Sequence, residues 1–155
     1  MAHNSFSRDS SSRAVGVGRV LIIVYGVLAL GATARSVVQI ITDFDKAPVA
    51  YLLSALSGVV YLLATVALLG KGRRWYLTAW ITIGFEMLGV LVIGSLSVFD
   101  SQLFPANTVW SFFGVGYLFI PLVLPVLGML WLYHLRPSAG AAAASVAEHP
   151  TRENR

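Results

Sequence analysis

The chain has 155 residues, 57% of them hydrophobic and only 12% charged, with a mean hydropathy of +0.76. That balance is at odds with a soluble domain and fits one all-α domain of several spanning helices, each needing about 20 apolar residues to cross roughly 30 Å of hydrocarbon. The absence of cysteine excludes disulfides and thiolate chemistry, and the net charge of +4 comes with no nucleic-acid motif.

The chain opens on a polar, serine-rich stretch, NSFSRDSSSR, so residues 1–18 are expected to form a disordered cytoplasmic tail. A transmembrane domain over 19–135 follows, with apolar segments at about 20–41, 48–70, 75–99 and 108–133. The first segment runs into Arg35 without a small-residue cleavage site and reads as an uncleaved signal anchor. Short polar interruptions separate the segments: TDFDKA at 42–47, KGRR at 71–74 and DSQLFPAN at 100–107. Connections this short make successive helices antiparallel neighbours, so the expected architecture is a polytopic, antiparallel four-transmembrane-helix bundle. Residues 136–155, with their alanine tract and polar end, are expected to be a second disordered cytoplasmic tail.

If four helices alternate, nine Lys and Arg residues fall on one side and two, Arg35 and Lys46, on the other. The positive-inside rule then predicts a multi-pass plasma-membrane protein with both termini cytoplasmic. Trp75, Trp80, Trp110, Trp131 and Tyr133 flank the segments as interfacial anchors, and His134 is placed at a helix end, near the negative pole of the dipole.

Small and weakly polar residues fall on defined faces. In the second segment Ala50, Ser54, Gly58, Tyr61 and Thr65 recur at helical spacing, and in the fourth Ser111, Gly114, Leu118, Pro121, Pro125 and Gly128 do the same. Ser54, Gly58 and Gly114 permit close helix packing in lipid. Pro121 and Pro125 each remove a backbone donor, which predicts a kink or local irregularity. The third segment's Gly84, Gly89 and Gly94 recur every five residues and do not share a face.

The third segment also carries Glu86 amid uncharged residues. Thr78, Thr82, Glu86, Gly89, Ile93 and Ser97 share one face, which is expected to point inward. The first segment's stripe runs through Tyr25, Leu28, Ala32, Arg35 and Gln39. A charge at mid-membrane costs roughly 2.5–3.5 kcal/mol, so pairing or neutralisation is expected. Counting rise from the outer ends puts Arg35 about 9 Å deep, Tyr117 about 14 Å, and Tyr61 and Glu86 both about 20 Å. The expectation is an intramembrane polar network of Glu86, Arg35, Gln39, Tyr61 and Tyr117.

The stretches ATARSVVQ, DKAPVAYLLSALSGVVYLLA and TVWSFFGVGYLFIPLVLPVLG, with the Glu86 helix, resemble a family of small four-helix integral membrane proteins of actinobacteria without an established function. The resemblance covers about residues 15–135 and implies an actinobacterial plasma-membrane protein. The small multidrug transporters, also of four helices, usually carry their essential glutamate in the first helix, where this chain has Arg35.

Glu86 has three readings: a structural group fixing helix register through hydrogen bonds, a proton- or ligand-responsive site, or a contact to a partner helix. No H-E-x-x-H, G-x-S-x-G or Walker sequence is present, and His3, His134 and His149 do not cluster, so neither enzyme nor cofactor or metal chemistry is implied. The expected function is an accessory or scaffolding subunit of a membrane complex, whose partners are the lipid bilayer and another membrane protein or a second copy of itself, not nucleic acid. The alternative is a small homo-oligomeric proton-coupled transporter or channel using Glu86.

Overall fold

The computed structural model describes residues 5–100 and 104–135, with side chains from residue 16 onward. The described residues are helical throughout, apart from turns and one irregular segment. The helices are α1 (Ser5–Asp43), α2 (Pro48–Leu69), α3 (Arg73–Phe99) and α4 (Ile120–His134). Two 3-10 segments, Phe44–Lys46 and Ser111–Tyr117, accompany them. α1 starts well before the expected boundary near residue 20, so residues 5–18 are helical rather than a disordered tail. The expected C-terminal tail, 136–155, lies outside the described residues, as do residues 101–103 of the last connection.

The boundaries of the first three helices follow from local chemistry. Ala47, at φ −155°, precedes Pro48, whose ring disfavours a helical conformation in the residue before it. Pro48 then occupies the first turn of α2, where its missing N–H is no loss. Lys46 pairs with Asp43 across this turn. α2 gives way to α3 at Gly72, whose φ of +99° suits glycine far better than any other residue.

Tertiary packing fixes the relative directions of the helices. A Cβ on Gly58 would lie 2.8 Å from Thr33 Oγ1 and 3.2 Å from Thr33 N, so α1 and α2 meet almost backbone to backbone there. Gly26 faces Thr65 farther along, which makes the two helices antiparallel. Gly128 faces Ile83 and the Tyr76 hydroxyl donates to Leu132 O at 3.2 Å, so α4 runs antiparallel to α3. Gly18 abuts Trp131. One end of the molecule therefore carries Arg19, Lys71, Arg73 and Arg74, and the other carries Asp43, Asp45, Lys46 and Asp100.

α1, α2 and α3 are each long and apolar enough to cross a membrane. The fourth segment departs from expectation, because it is not one helix over 108–133. Ser111–Tyr117 and Ile120–His134 meet at a bend of 98°. The 15 residues of α4 rise only about 22 Å, short of the roughly 30 Å hydrocarbon thickness. The break lies just before Pro121, in the first turn of α4, whereas Pro125 is accommodated inside the helix. Phe112, Phe113, Gly114, Leu118 and Phe119 all have left-handed backbone angles.

Local bonds satisfy much of this irregular backbone. Thr108 N donates to Ser111 Oγ at 2.9 Å and Trp110 N to Thr108 Oγ1 at 3.1 Å. Phe119 N donates to Gly114 O at 3.0 Å, and Val123 N to Phe119 O at 3.1 Å. Non-helical backbone buried in protein is tolerated at membrane depth when its polar groups are paired in this way.

Candidate functional site

The centre of the molecule is the enclosed pair Tyr25 and Glu86, together with Tyr61 and Trp110. Tyr25, Tyr61 and Glu86 are completely buried, and Trp110 is 2% exposed. The Tyr25 hydroxyl donates to Glu86 Oε2 at 2.7 Å, linking α1 to α3. The Tyr25 and Tyr61 rings lie 6.2 Å apart at an interplanar angle of 49°, and Trp110 Nε1 donates to the Tyr61 hydroxyl at 3.0 Å. Four segments thus converge on one acid: α1, α2, α3 and the irregular stretch before α4.

Local sequence positions each member. Tyr25 lies within the buried stripe of α1, with Leu21, Leu28 and Ala32. Tyr61 continues the small-residue face of α2, in which Ser54 Oγ bonds its own helix at Ala50 O. The inner face of α3 comprises Ala79, Thr82, Ile83, Glu86, Val90, Gly94 and Ser97, close to the expected face, with Thr78, Gly89 and Ile93 at its half-buried margins.

Gly89 and Gly94 have a role that the five-residue spacing concealed. A Cβ on Gly89 would lie 2.7 Å from the Trp110 ring, and one on Gly94 would lie 2.6 Å from the Phe113 ring. The two glycines are notches that receive Trp110, just before the irregular segment, and Phe113 within it. Trp110 is therefore a buried member of the core and not the interfacial anchor expected from the sequence.

Of the five residues expected in the polar network, Glu86 and Tyr61 come together at the centre through Tyr25. Arg35 does not join them. Its Nη2 donates to Asn107 O at 3.0 Å, tying α1 to the connection before the irregular segment. Arg35 follows Tyr25 by ten residues and so stands about 15 Å farther along the helix axis. Gln39 lies one turn beyond Arg35, half-buried, with its Oε1 enclosed and unpaired among the described residues. Tyr117 is half-buried against the central apolar cluster.

The packing residues are likewise placed. Ser54 and Gly58 are buried in α2, with Gly58 at the closest approach to α1. Gly114, at φ +79°, lies against the ring of Pro121. Pro121 and Pro125 are buried in α4.

Chemically, the site is a carboxyl group sealed from solvent, with one oxygen bonded by a phenol and the other, Oε1, without a hydrogen-bond partner among the described residues. Tyr25 is the hydrogen-bonded neighbour that the charge-pairing argument missed. The signal for it was its place on the α1 stripe: counted from the outer end of that segment, Tyr25 lies about 24 Å deep, nearly level with Glu86.

Comparison of the chain with family models, curated proteins and solved structures gives no match.

Proposed function

We propose that this chain is an antiparallel four-helix, multi-pass protein of an actinobacterial plasma membrane, with both termini cytoplasmic, acting as a non-enzymatic accessory or scaffolding subunit of a membrane complex. The observation that carries the functional part is the enclosure of Glu86, which is fully buried and held by Tyr25. A carboxyl group locked between helices and shut off from solvent suits a register-fixing role, since a transport site must open to water. The separation of Arg19, Lys71, Arg73 and Arg74 from Asp43, Asp45 and Asp100 supports the orientation. The many exposed apolar side chains along α1, α2 and α3 suit contact with lipid or with a partner's helices.

The free Oε1 of Glu86 favours a second reading, a proton-coupled transporter or channel, because an unpaired buried oxygen is a place for a proton to add. Affinity purification from native membranes in mild detergent separates the two. The scaffold reading expects a stoichiometric membrane partner, retained by both the wild type and Glu86→Gln. Absence of a partner, together with proton flux in reconstituted vesicles that Glu86→Gln abolishes, would overturn it.

A further inference from the structure

A second feature lies at the opposite end from the irregular segment. Between the end of α2, the start of α3 and the last turns of α4 is a cavity of about 510 Å³. This falls within the roughly 300–1,000 Å³ typical of small-molecule sites. Ala67, Leu68, Trp131, Leu132 and the ring of Tyr76 give it an apolar wall, and Arg73 stands in its lining. The Tyr76 hydroxyl is committed to Leu132 O, so the ring presents its apolar face as a fixed part of that wall.

The rim is cationic. Arg73 is exposed and flanked by exposed Lys71 and Arg74, and among the described residues no carboxylate pairs with any of the three. The carboxylates of Asp43, Asp45 and Asp100 belong to the far end, and Glu86 is buried in the core. A hydrocarbon-lined cavity with a guanidinium at its edge that no described carboxylate pairs suits a molecule with an acyl chain and an anionic headgroup. Basic pockets between helix ends recognise lipid phosphates in this way.

We infer that this cavity binds one anionic phospholipid, with an acyl chain against Leu68, Trp131 and Leu132 and the headgroup phosphate on Arg73. The inference rests on the membrane reading above and adds a specific lipid site to it. Arginine can engage the phosphate oxygens in a bidentate manner, which ties recognition to this side chain more than to its neighbours.

The test uses delipidated full-length protein titrated in detergent with phosphatidylglycerol or phosphatidylcholine of identical acyl chains, with adducts counted by native mass spectrometry. Phosphatidylglycerol should bind more tightly by about fivefold, the factor that one basic residue near an anionic headgroup supplies. Arg73→Gln should erase that preference, and Arg74→Gln, outside the cavity lining, should keep it. Leu135→Trp, a bulky change at an exposed position on the cavity wall, should reduce adducts of both lipids. Equal binding of the two lipids overturns the inference. So does an Arg74→Gln effect as large as that of Arg73→Gln, which would mean diffuse surface charge, or a Leu135→Trp protein that binds both lipids normally. Failure of the membrane reading shows separately, as release of the protein from cell membranes by alkaline carbonate.

Discussion

The Tyr25 hydroxyl and Glu86 Oε2, 2.7 Å apart and both wholly buried, join the first and third helices across the middle of the molecule. Interhelical hydrogen bonds in membranes average about 0.6 kcal/mol and reach about 1.7 kcal/mol. Tyr25→Phe should therefore lower stability in detergent by about 1 kcal/mol, near the upper half of that range because no water can replace the donor. Tyr25→Phe and Glu86→Gln should be non-additive, as measured by a double-mutant cycle on reversible unfolding. Additive losses would mean that the contact carries no coupling energy.

Arg35 and Glu86 give the opposite expectation. The guanidinium is committed to Asn107 O and stands far along α1 from the acid. Losses from Arg35→Leu and Glu86→Leu should add to within about 0.5 kcal/mol, as for separated sites. A coupling above about 1 kcal/mol in the same unfolding assay would show that the two charges communicate.

The crossing of α1 and α2 depends on Gly58. A side chain there meets the backbone of Thr33, which cannot turn aside as a side-chain tip can. Gly58→Val should cost about 1–3 kcal/mol, the range for overpacking, and should lower the midpoint of thermal unfolding in detergent. An unchanged midpoint would mean that the two helices can part at no cost.

Gly114 combines φ +79° with contact against Pro121. Gly114→Ala should destabilise by about 1–2 kcal/mol from the backbone conformation alone, and by more from the clash. Tryptophan emission should report it as well, because Trp110 is held in the Gly89 notch by the same segment. A Gly114→Ala protein with native emission and stability would contradict the left-handed turn.

Orientation is open to cysteine labelling with an impermeant thiol reagent in intact cells. Lys71→Cys and His134→Cys should be protected, and Asp45→Cys should react, all three positions being exposed. Reaction at residue 71 with protection at residue 45 would reverse the proposed topology, and reaction at residue 134 alone would place the end of α4 on the outer side.

The second and third helices were legible because their limits are local. Pro48 restricts the residue before it and Gly72 permits the positive φ of its turn, and the apolar runs between such points leave little choice. The inward placement of Glu86 was legible too, since its companions Thr82 and Ser97 recur at helical spacing. Its partner was harder to find, because a search for opposite charge led to Arg35 and passed over Tyr25, a phenol nearly level with the acid. The fourth segment was legible in part: an irregularity at Pro121 was expected, but not a break of 98°. Gly114, Gly116 and Pro121 announce weakness in a helix, but membrane helices often absorb such residues. The break goes with the fit of Trp110 and Phe113 into glycine notches on α3, a tertiary relationship that no spacing within the segment encodes.

Those notches also set an order of assembly. At 15 residues α4 is too short to partition into lipid as a full crossing, and the left-handed stretch before it cannot enter the hydrocarbon with its backbone bare. Both need α3 already in place with Gly89 and Gly94 unobstructed. The stretch from Thr108 to His134 is thus a guest of the third helix, and a chain whose α3 lacks those notches has nowhere to seat it.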